Sequence, residues 1–317
     1  MDKLITTVPE ELSGRRLDQV LANLYPQHSR SRLQAWINAG QVKVNNRILR
    51  QKDHVRTGEQ IEIIPVFDSQ AQCPAQEIPL AIVYEDDVVL VINKPPGLVV
   101  HPGAGNPAQT LQNALLFHDA ALDRVPRAGI IQRLDKDTSG LMLIARTPET
   151  HTYLVDQMQR RRIEREYQAV VTGVMTAGGR IEAPIGRHPV MRKRMAVTAK
   201  GKPAVTHYRI IKKYRNHTHI LVRLETGRTH QIRVHMAHIH YPVTGDPVYG
   251  GRRRLPKNIS PELREIIQTF PRQALHASSL TAVHPVTGES MTWTIPLPGD
   301  IRSLLDALEN NDAAQPQ

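Results

Sequence analysis

Two hydrophobic periods follow one another in the amino-terminal part of the chain. Apolar residues first recur at the spacing of an α-helix, on one stripe formed by Leu17, Val20, Leu21 and Leu24 and on a second formed by Leu33, Trp36 and Ile37. Gly40 is placed to end the second helix. Val42 and Val44 then alternate with polar residues before a turn at Asn45-Asn46, and GEQIEII alternates again. The pattern predicts a small α/β module over residues 1–66.

The pattern changes after this module. The segment from Pro65 to Gln76 lacks periodicity and contains two prolines, which indicates a linker at residues 67–77. Strand-like stretches then dominate residues 78–309, namely AIVYEDDVVLVINKP, GLMLIART, YQAVVTG, AVTHYRIIKKY, HILVRLETG and ESMTWTIPL, with helices predicted at TLQNALLFH, PETHTYLVDQMQRR and HQIRVHMAHI. Strands and helices do not alternate as in a doubly wound fold. We therefore predict an α+β fold with a large mixed, mostly antiparallel sheet, and a disordered tail at residues 310–317.

The charge of the chain indicates that the amino-terminal module binds nucleic acid. The chain has 41 Lys and Arg against 30 Asp and Glu, a net charge of +11 and a pI near 9.9, which suits a polyanion such as nucleic acid. The predicted RNA-binding cations of this module, suited to track a phosphate backbone, are Arg15, Arg16, Arg30, Arg32, Lys43, Arg47 and Arg50. The competing interpretation is an ordinary solvated face.

Cysteine content and hydropathy narrow the class of protein. The single cysteine, Cys73, excludes an internal disulfide and a thiolate-rich zinc cluster. No apolar run reaches the roughly eighteen residues needed to cross a bilayer, and the first residues lack the apolar core of a secretion signal. We therefore expect a cytoplasmic protein with no membrane partner.

One polar turn between two apolar runs is the candidate for chemistry. IIQRLDKDTSGLMLIART places Asp135 and Asp137 there, which is how a rigid sheet presents a reactive side chain on a loop. One alternative is an ordinary turn in which both carboxylates accept backbone hydrogen bonds. Another is a calcium loop, because DKDTSG matches the start of an EF-hand. That match fails at the position of the bidentate Glu, which is Arg146 here.

The sequence around this turn resembles that of the RluA-type pseudouridine synthases. RLDKDTSGL is similar to the catalytic motif of that family, and other family motifs occur in the family's order at Tyr84–Gly103, Arg165–Tyr167, Gly201–Tyr208, Leu224–His238 and Gly245–Gly251. The amino-terminal module resembles an S4 RNA-binding domain, so the likeness covers almost the whole chain. It implies a catalytic domain of the pseudouridine synthase fold at residues 78–309, preceded by an S4-like domain at residues 1–66.

The resemblance also implies roles for individual residues. Asp135 is expected to be the essential catalytic carboxylate, and Arg228 to pair with it, holding it ionised and oriented through its forked guanidinium. Tyr167 is expected to stack on the uracil. Ile232 is expected to form the apolar wall on the other face of the base or to pack in the core. Arg133 is expected to enter the space in the RNA that the base vacates.

Two features argue against further chemistry in the predicted site. Many relatives have His before the motif arginine where this chain has Gln132, and Gln does not carry a proton at neutral pH. One segment contains four histidines that could suggest a metal site, namely His230, His235, His238 and His240. No nearby carboxylate or cysteine completes a recognisable set of metal ligands. We expect core hydrogen bonds and phosphate contacts from them, no metal, and no cofactor, because the isomerisation needs no redox step or transferred group.

The resemblance finally implies a substrate, uridines in the loop of helix 69 of 23S ribosomal RNA. The expected partner is a late assembly intermediate or the 50S subunit, and the expected enzyme is a monomer. Three alternatives stay open. Related enzymes modify other ribosomal or transfer RNA sites; an inert rRNA-binding assembly factor would also carry an S4-like module; and a glycosidase would cleave the same bond. A glycosidase normally needs two carboxylates about 5 to 9 Å apart, and Asp135 is the one convincing candidate.

Overall fold

The protein is described here from a computed structural model covering residues 3–26, 30–64, 73–103, 105–191, 194–251 and 259–314. The chain divides into two compact units, Met1–Cys73 and Pro74–Gln317. The division falls within the predicted linker, most of which lies outside the described residues. No helix in the described parts of the chain combines the length and the apolar character needed to span a bilayer.

The amino-terminal unit packs two helices against a small antiparallel sheet. Its elements are β1 (Leu4–Thr7), a 3-10 turn (Glu10–Leu12), α1 (Leu17–Leu24), α2 (Arg30–Asn38), β2 (Val42–Val44), β3 (Arg47–Ile48) and β4 (Gln60–Ile63), and the sheet order is β1-β4-β2-β3. Both predicted helices are confirmed, and their apolar stripes face the core. Asn45 and Asn46 have φ values of 47° and 64°, the left-handed conformation that a tight hairpin turn requires. Strand β1 was not predicted.

The second unit is built around one large sheet. Its strands are β5 (Ile82–Glu85), β6 (Val89–Lys94), β7 (Ser139–Ala145), β8 (Glu164–Thr172), β9 (Gly179–Glu182), β10 (Ile185–Arg187), β11 (Met195–Val197), β12 (Val205–Lys213), β13 (His217–Leu224), β14 (Leu275–Val283) and β15 (Ser290–Thr294). Its helices are α3 (Leu111–His118), α4 (Pro148–Gln159), α5 (Gln231–His238), α6 (Pro261–Thr269) and α7 (Gly299–Ala313), with 3-10 turns at Ala120–Arg124 and Pro126–Gly129.

The sheet topology confirms the predicted mixed, mostly antiparallel α+β fold. The nine-stranded sheet runs β5-β6-β7-β14-β8-β13-β12-β9, with β15 paired to β14, and β10 and β11 form a separate two-stranded sheet. Within the described residues the one parallel pairing of named strands joins β7 to β14. The helices predicted from TLQNALLFH, PETHTYLVDQMQRR and HQIRVHMAHI are confirmed as α3, α4 and α5.

Strand β14 lies at the centre of this sheet and was missed by the hydrophobic pattern. Its first residues pair with β7, placing Ala277 opposite Gly140, and its later residues pair with β15. Gly140 has a φ of +122°, and a Cβ at this position would lie 2.3 Å from the carbonyl oxygen of Ala277. Only glycine fits this contact. The two strands therefore meet at the residue where the Asp135 loop enters β7.

The predicted disordered tail is too long. Helix α7 continues to Ala313, and Ile301, Leu304 and Leu308 bury one of its faces. Asn311 is buried as well, and its side-chain oxygen accepts a hydrogen bond from the backbone of Ser260 at 2.9 Å. A polar composition suggested disorder, but a helix that packs one face needs few apolar residues in its last turn. Residues 315–317 lie outside the described residues.

Candidate active site

The Asp135 loop connects a 3-10 turn to β7, and every residue of β7 is buried. The backbone N–H of Thr138 donates to the carbonyl oxygen of Asp135 at 3.1 Å, closing a turn, and that of Gly97 donates to the carbonyl of Lys136 at 2.9 Å. The Asp135 side chain remains 15% exposed. A buried strand thus presents a carboxylate on a short, hydrogen-bonded loop.

A buried lysine supports the same loop from β6. The Lys94 ammonium is fully buried and donates to the carbonyl oxygens of Pro95, Leu98 and Lys136 at 2.8, 2.9 and 2.9 Å. These three acceptors match the three donors of an ammonium group. Burial lowers the pKa of Lys94 to about 7, against the opposing charge of Asp137. Lys94 therefore links the end of β6 to the residue that follows Asp135.

The residues just before β14 support the loop from its other side. Arg272 donates to the carbonyl oxygen of Asp137 at 3.1 Å and binds the Asp300 carboxylate through two nitrogens at 2.7 and 2.9 Å. The Gln273 amide donates to the Thr138 hydroxyl at 3.0 Å. The loop is thereby held by groups that lie far from it in sequence, which is the support that a positioned reactive side chain requires.

Asp135 lines an open cavity of about 570 Å³. The structure brings all the predicted active-site residues into the wall of this cavity: Arg133, Asp135, Tyr167, Arg228 and Ile232. Tyr167 projects from β8 and Ile232 from α5, and both are nearly buried, at 6% and 4% exposure. Arg133 is exposed, and Gln132 also lines the wall. The sequence therefore identified a real cluster, although the pairing within it differs from the expectation.

The arginine that pairs with Asp135 is Arg233, and the expected Arg228 pair is wrong. Arg233 Nη1 donates to Asp135 Oδ2 at 2.9 Å. Arg228 lies in the loop before α5, and its Nε donates to the carbonyl oxygen of Pro203 at 3.1 Å. The difference follows from where α5 begins: Arg228 precedes the helix, whereas Arg233 projects from its first turn into the cavity wall.

A second carboxylate fixes Arg233 in place. Asp246 accepts from Arg233 Nε and Nη2 at 2.7 and 2.9 Å, and also from the backbone N–H groups of Val248 and Tyr249. Burial opposes the charged form of Asp246, but the hydrogen bonds and charge of Arg233 outweigh it and lower the pKa of this carboxyl. Burial would lower the pKa of the Arg233 guanidinium, but the carboxylates of Asp246 and Asp135 raise it. Arg233 therefore stays charged and holds a fixed orientation toward Asp135.

The cavity has an excess of positive charge. The arginines in its wall are Arg127, Arg133, Arg161, Arg165, Arg228 and Arg233, whereas the lining carboxylates are those of Asp135 and Glu225. Glu225 is bound by Arg161 and by His207, each at 2.6 Å. An excess of arginine over carboxylates suits a phosphate-rich substrate.

Comparison with known proteins assigns this chain to a family. A family model described as RNA pseudouridylate synthase matches residues 88–238, and an S4 domain model matches residues 15–61. The chain is 55% identical to ribosomal large subunit pseudouridine synthase D of Haemophilus influenzae over 307 residues, covering 96% of this chain and 95% of that protein. This chain belongs to the RNA pseudouridine synthase family.

Further relatives and solved structures agree with this assignment. The proteins of the same printed name from Pseudomonas aeruginosa and Escherichia coli K12 are 55% and 52% identical, covering 97% and 96% of this chain and 96% and 94% of their own lengths. The structure named human RNA pseudouridylate synthase domain containing 4 superposes with a TM-score of 0.56 at 25% identity, covering 72% of this chain and 93% of that one. The enzyme is thus an isomerase that acts on RNA.

The histidines of the segment around α5 contact different parts of this pseudouridine synthase. His230 begins α5 in the left-handed conformation, bonds the Tyr249 hydroxyl at 2.8 Å and lies 3.9 Å from Asp135. Burial lowers the pKa of His230, against the opposing charge of Asp135. His235 is held by Thr206 and by the carbonyl of Ala183, the core hydrogen-bonding role that was predicted. Across the described ranges, no set of three or more His, Cys, Asp or Glu side chains is arranged to hold a metal.

The S4 domain of this synthase holds part of its basic set in internal ion pairs. Asp18 is fully buried in α1, and its carboxylate is bound by Arg16 at 3.0 Å and by Arg30 at 2.9 Å. The remaining predicted cations that are exposed are Arg15, Arg47 and Arg50, while Lys43 is half-buried and the side chain of Arg32 lies outside the described residues. Arg16 and Arg30 thus stabilise the fold of the domain in addition to any contact with RNA.

Sequence reasoning missed several residues that support the site: Lys94, Arg233, Asp246 and Arg272. Arg233 was within reach, because a helix starting at His230 puts residues three apart on one face. Lys94 and Arg272 act on carbonyl oxygens of a distant loop, and no spacing rule connects them to it. Their contacts exist only through the sheet order that places β6, β7 and β14 side by side.

Proposed function

We propose that this synthase isomerises uridines of 23S ribosomal RNA to pseudouridine, with Asp135 as its essential carboxylate. The observation that carries the proposal is the Asp135–Arg233 pair in the wall of a cationic cavity that also contains Tyr167. The printed names of the relatives, which specify the large ribosomal subunit, support the substrate class.

Tyr167 and Ile232 provide surfaces for the base. A uridine within RNA must leave its stack before a side chain can reach its glycosidic bond, which costs a few kcal/mol. The aromatic ring of Tyr167 and the aliphatic side chain of Ile232 line the cavity from two different elements. A uracil between them regains the stacking it has lost. Arg133 is exposed in the same cavity, and we propose that it enters the space left in the RNA.

The chemistry falls to one oxygen of Asp135. Arg233 occupies Oδ2, so Oδ1 is the oxygen that faces the nucleotide, whether it attacks C1′, adds to C6 or takes a ribose proton. Breaking N1–C1′ frees the uracil, which turns and rejoins the ribose through C5. The other carboxylate in the described cavity wall, Glu225, is bound by Arg161 and His207. Within the described cavity wall, Asp135 therefore has no second carboxylate that is free of ion pairs, which argues against the two-carboxylate chemistry of glycoside hydrolysis.

Within 23S ribosomal RNA, the specific substrate that we propose is the loop of helix 69. We propose that the enzyme meets it as a monomer in the cytoplasm, on a late assembly intermediate or the 50S subunit. The S4 domain contributes phosphate contacts through its exposed cations, Arg15, Arg47 and Arg50.

Tritium release tests the proposal. Rejoining through C5 expels the C5 hydrogen, so wild-type protein should release tritium to water from large-subunit RNA labelled with [5-³H]uridine. Asp135→Asn should release none above the blank while binding the RNA as tightly as wild type. The matched control is Asp137→Asn, two residues away on the same turn, because the Asp137 side chain does not line the cavity. Turnover by Asp135→Asn, or loss of uracil from the RNA by mass spectrometry, contradicts the proposal.

A further inference from the structure

Arg165 is a buried cation whose charge no carboxylate of the described residues balances. It lies on β8 with 8% of its surface exposed, and it lines the cavity that contains Asp135. Its Nε is buried and has no hydrogen-bond partner. Among the residues that the structure describes, no carboxylate forms an ion pair with it. A buried guanidinium in this condition is unfavourable for the isolated protein, and a negatively charged hydrogen-bond acceptor would stabilise it.

The surroundings of Arg165 direct it toward the substrate. Arg165 and Tyr167 are two residues apart on a strand, so their side chains leave β8 on the same face. The guanidinium also packs against the loop that follows β13, where a Cβ on Gly227 would lie 3.1 Å from Nη1. The carboxylates of the cavity wall are already engaged, Asp135 by Arg233 and Glu225 by Arg161. The anion that completes Arg165 must therefore enter with the ligand.

We propose that Arg165 binds a backbone phosphate flanking the uridine being isomerised. This inference rests on the proposed function. Uracil and ribose are neutral, so the phosphates are the anions that an RNA brings into the cavity. They also stay chemically unchanged while the base detaches and turns. A phosphate held by a buried guanidinium fixes the ribose beside Asp135 during that rotation, and Tyr167 on the same strand face holds the base.

The experiment combines a change in the protein with a change in the RNA. A helix 69 stem-loop is made with a neutral methylphosphonate at each phosphate around the target uridine in turn, and kcat/KM is measured for wild type and for Arg165→Gln. Wild type should lose about 10- to 100-fold at one flanking phosphate. Arg165→Gln should lose a similar factor on the unmodified RNA and show no further loss at that phosphate. Its salt dependence should also be shallower, by about 0.7 to 0.9 in the slope of log affinity against log salt.

Two further variants keep the outcome clear. Arg302→Gln removes an exposed arginine of α7 outside the cavity wall and should keep the full methylphosphonate sensitivity of wild type. If Arg165→Gln does not fold, Gly227→Ala serves instead, because its methyl group shifts the guanidinium by a few tenths of an ångström and should reduce sensitivity at the same phosphate.

If the losses of kcat/KM from Arg165→Gln and from the methylphosphonate were additive at every flanking phosphate, the role of Arg165 would be overturned and the proposed function would stand. A wild-type enzyme that fails to release tritium from the unmodified stem-loop and from the 50S subunit would overturn the proposed function, and this inference with it.

Discussion

Arg233 shows how one side chain can determine the geometry of a carboxylate, here that of Asp135. Its guanidinium spans Asp135 and Asp246, using the planar fork that a lysine lacks. The match to the family motif was made by position along the sequence and suggested Arg228. Which arginine contacts Asp135 depends instead on where α5 begins. The sequence predicted which residues share the cavity, and the helix start decided which arginine reaches Asp135.

Replacing Arg233 by lysine should therefore reduce turnover more than the same change at Arg228. We expect Arg233→Lys to lower kcat by about 100-fold, or about 2.7 kcal/mol, because an ammonium cannot hold both carboxylates at once. Arg228→Lys is the matched control and should alter KM more than kcat. Single-turnover rates on labelled RNA measure the difference. Equal losses of kcat in the two variants would show that the Arg233 bridge is not what positions Asp135.

Strand β14 is the element on which the loop support depends, and it was the largest error of the sequence interpretation. ALHASSLTAV contains few large apolar residues, so its alternation is weak. Six of the nine residues of the strand are nevertheless buried, and its polar residues include one that bonds the neighbouring strand: His276 Nδ1 bonds the Ser139 hydroxyl at 2.9 Å. Buried polar pairs of this kind are defined by strand neighbours that no local pattern can supply.

The contact between β7 and β14 should be intolerant of a single methyl group. Gly140→Ala combines a left-handed φ with a backbone collision at Ala277, and we expect it to reduce the free energy of unfolding by more than about 3 kcal/mol. Gly299→Ala is the control, since a Cβ there meets nothing within 4 Å. Denaturant unfolding compares the two. A Gly140→Ala protein as stable as Gly299→Ala would contradict the described register of β14.

At the scale of the whole molecule, the two units were predictable because each has its own hydrophobic pattern and core. The bounds of α7 and the existence of β1 and β14 were not, because their burial depends on neighbours distant in sequence. The large unit also buries several histidines as neutral groups. Burial lowers the pKa of His217, His219 and His276 to about 4 in each case.

These histidines make the free energy of unfolding depend on pH. Between pH 6.5 and 4 they are neutral in the folded protein but protonated in the unfolded chain, so the stability present above pH 6.5 is lost as the pH falls. His217→Leu should remove one of these groups and reduce the slope of unfolding free energy against pH by up to about 1.4 kcal/mol per pH unit. Urea unfolding at several pH values between 4.5 and 7.5 measures the slope. An unchanged slope would mean that His217 is already charged in the folded protein.

We propose that Asp135 drives uridine isomerisation in large-subunit ribosomal RNA. The most direct test maps pseudouridines in 23S RNA from cells that lack the gene for this protein and from the same cells supplied with wild type, Asp135→Asn or Asp137→Asn. We expect pseudouridines in the helix 69 loop to be absent without the gene, to return with wild type and Asp137→Asn, and to stay absent with Asp135→Asn. Their return with Asp135→Asn would contradict the assigned role of Asp135, and a 23S pseudouridine map unaffected by the deletion would contradict the proposed substrate.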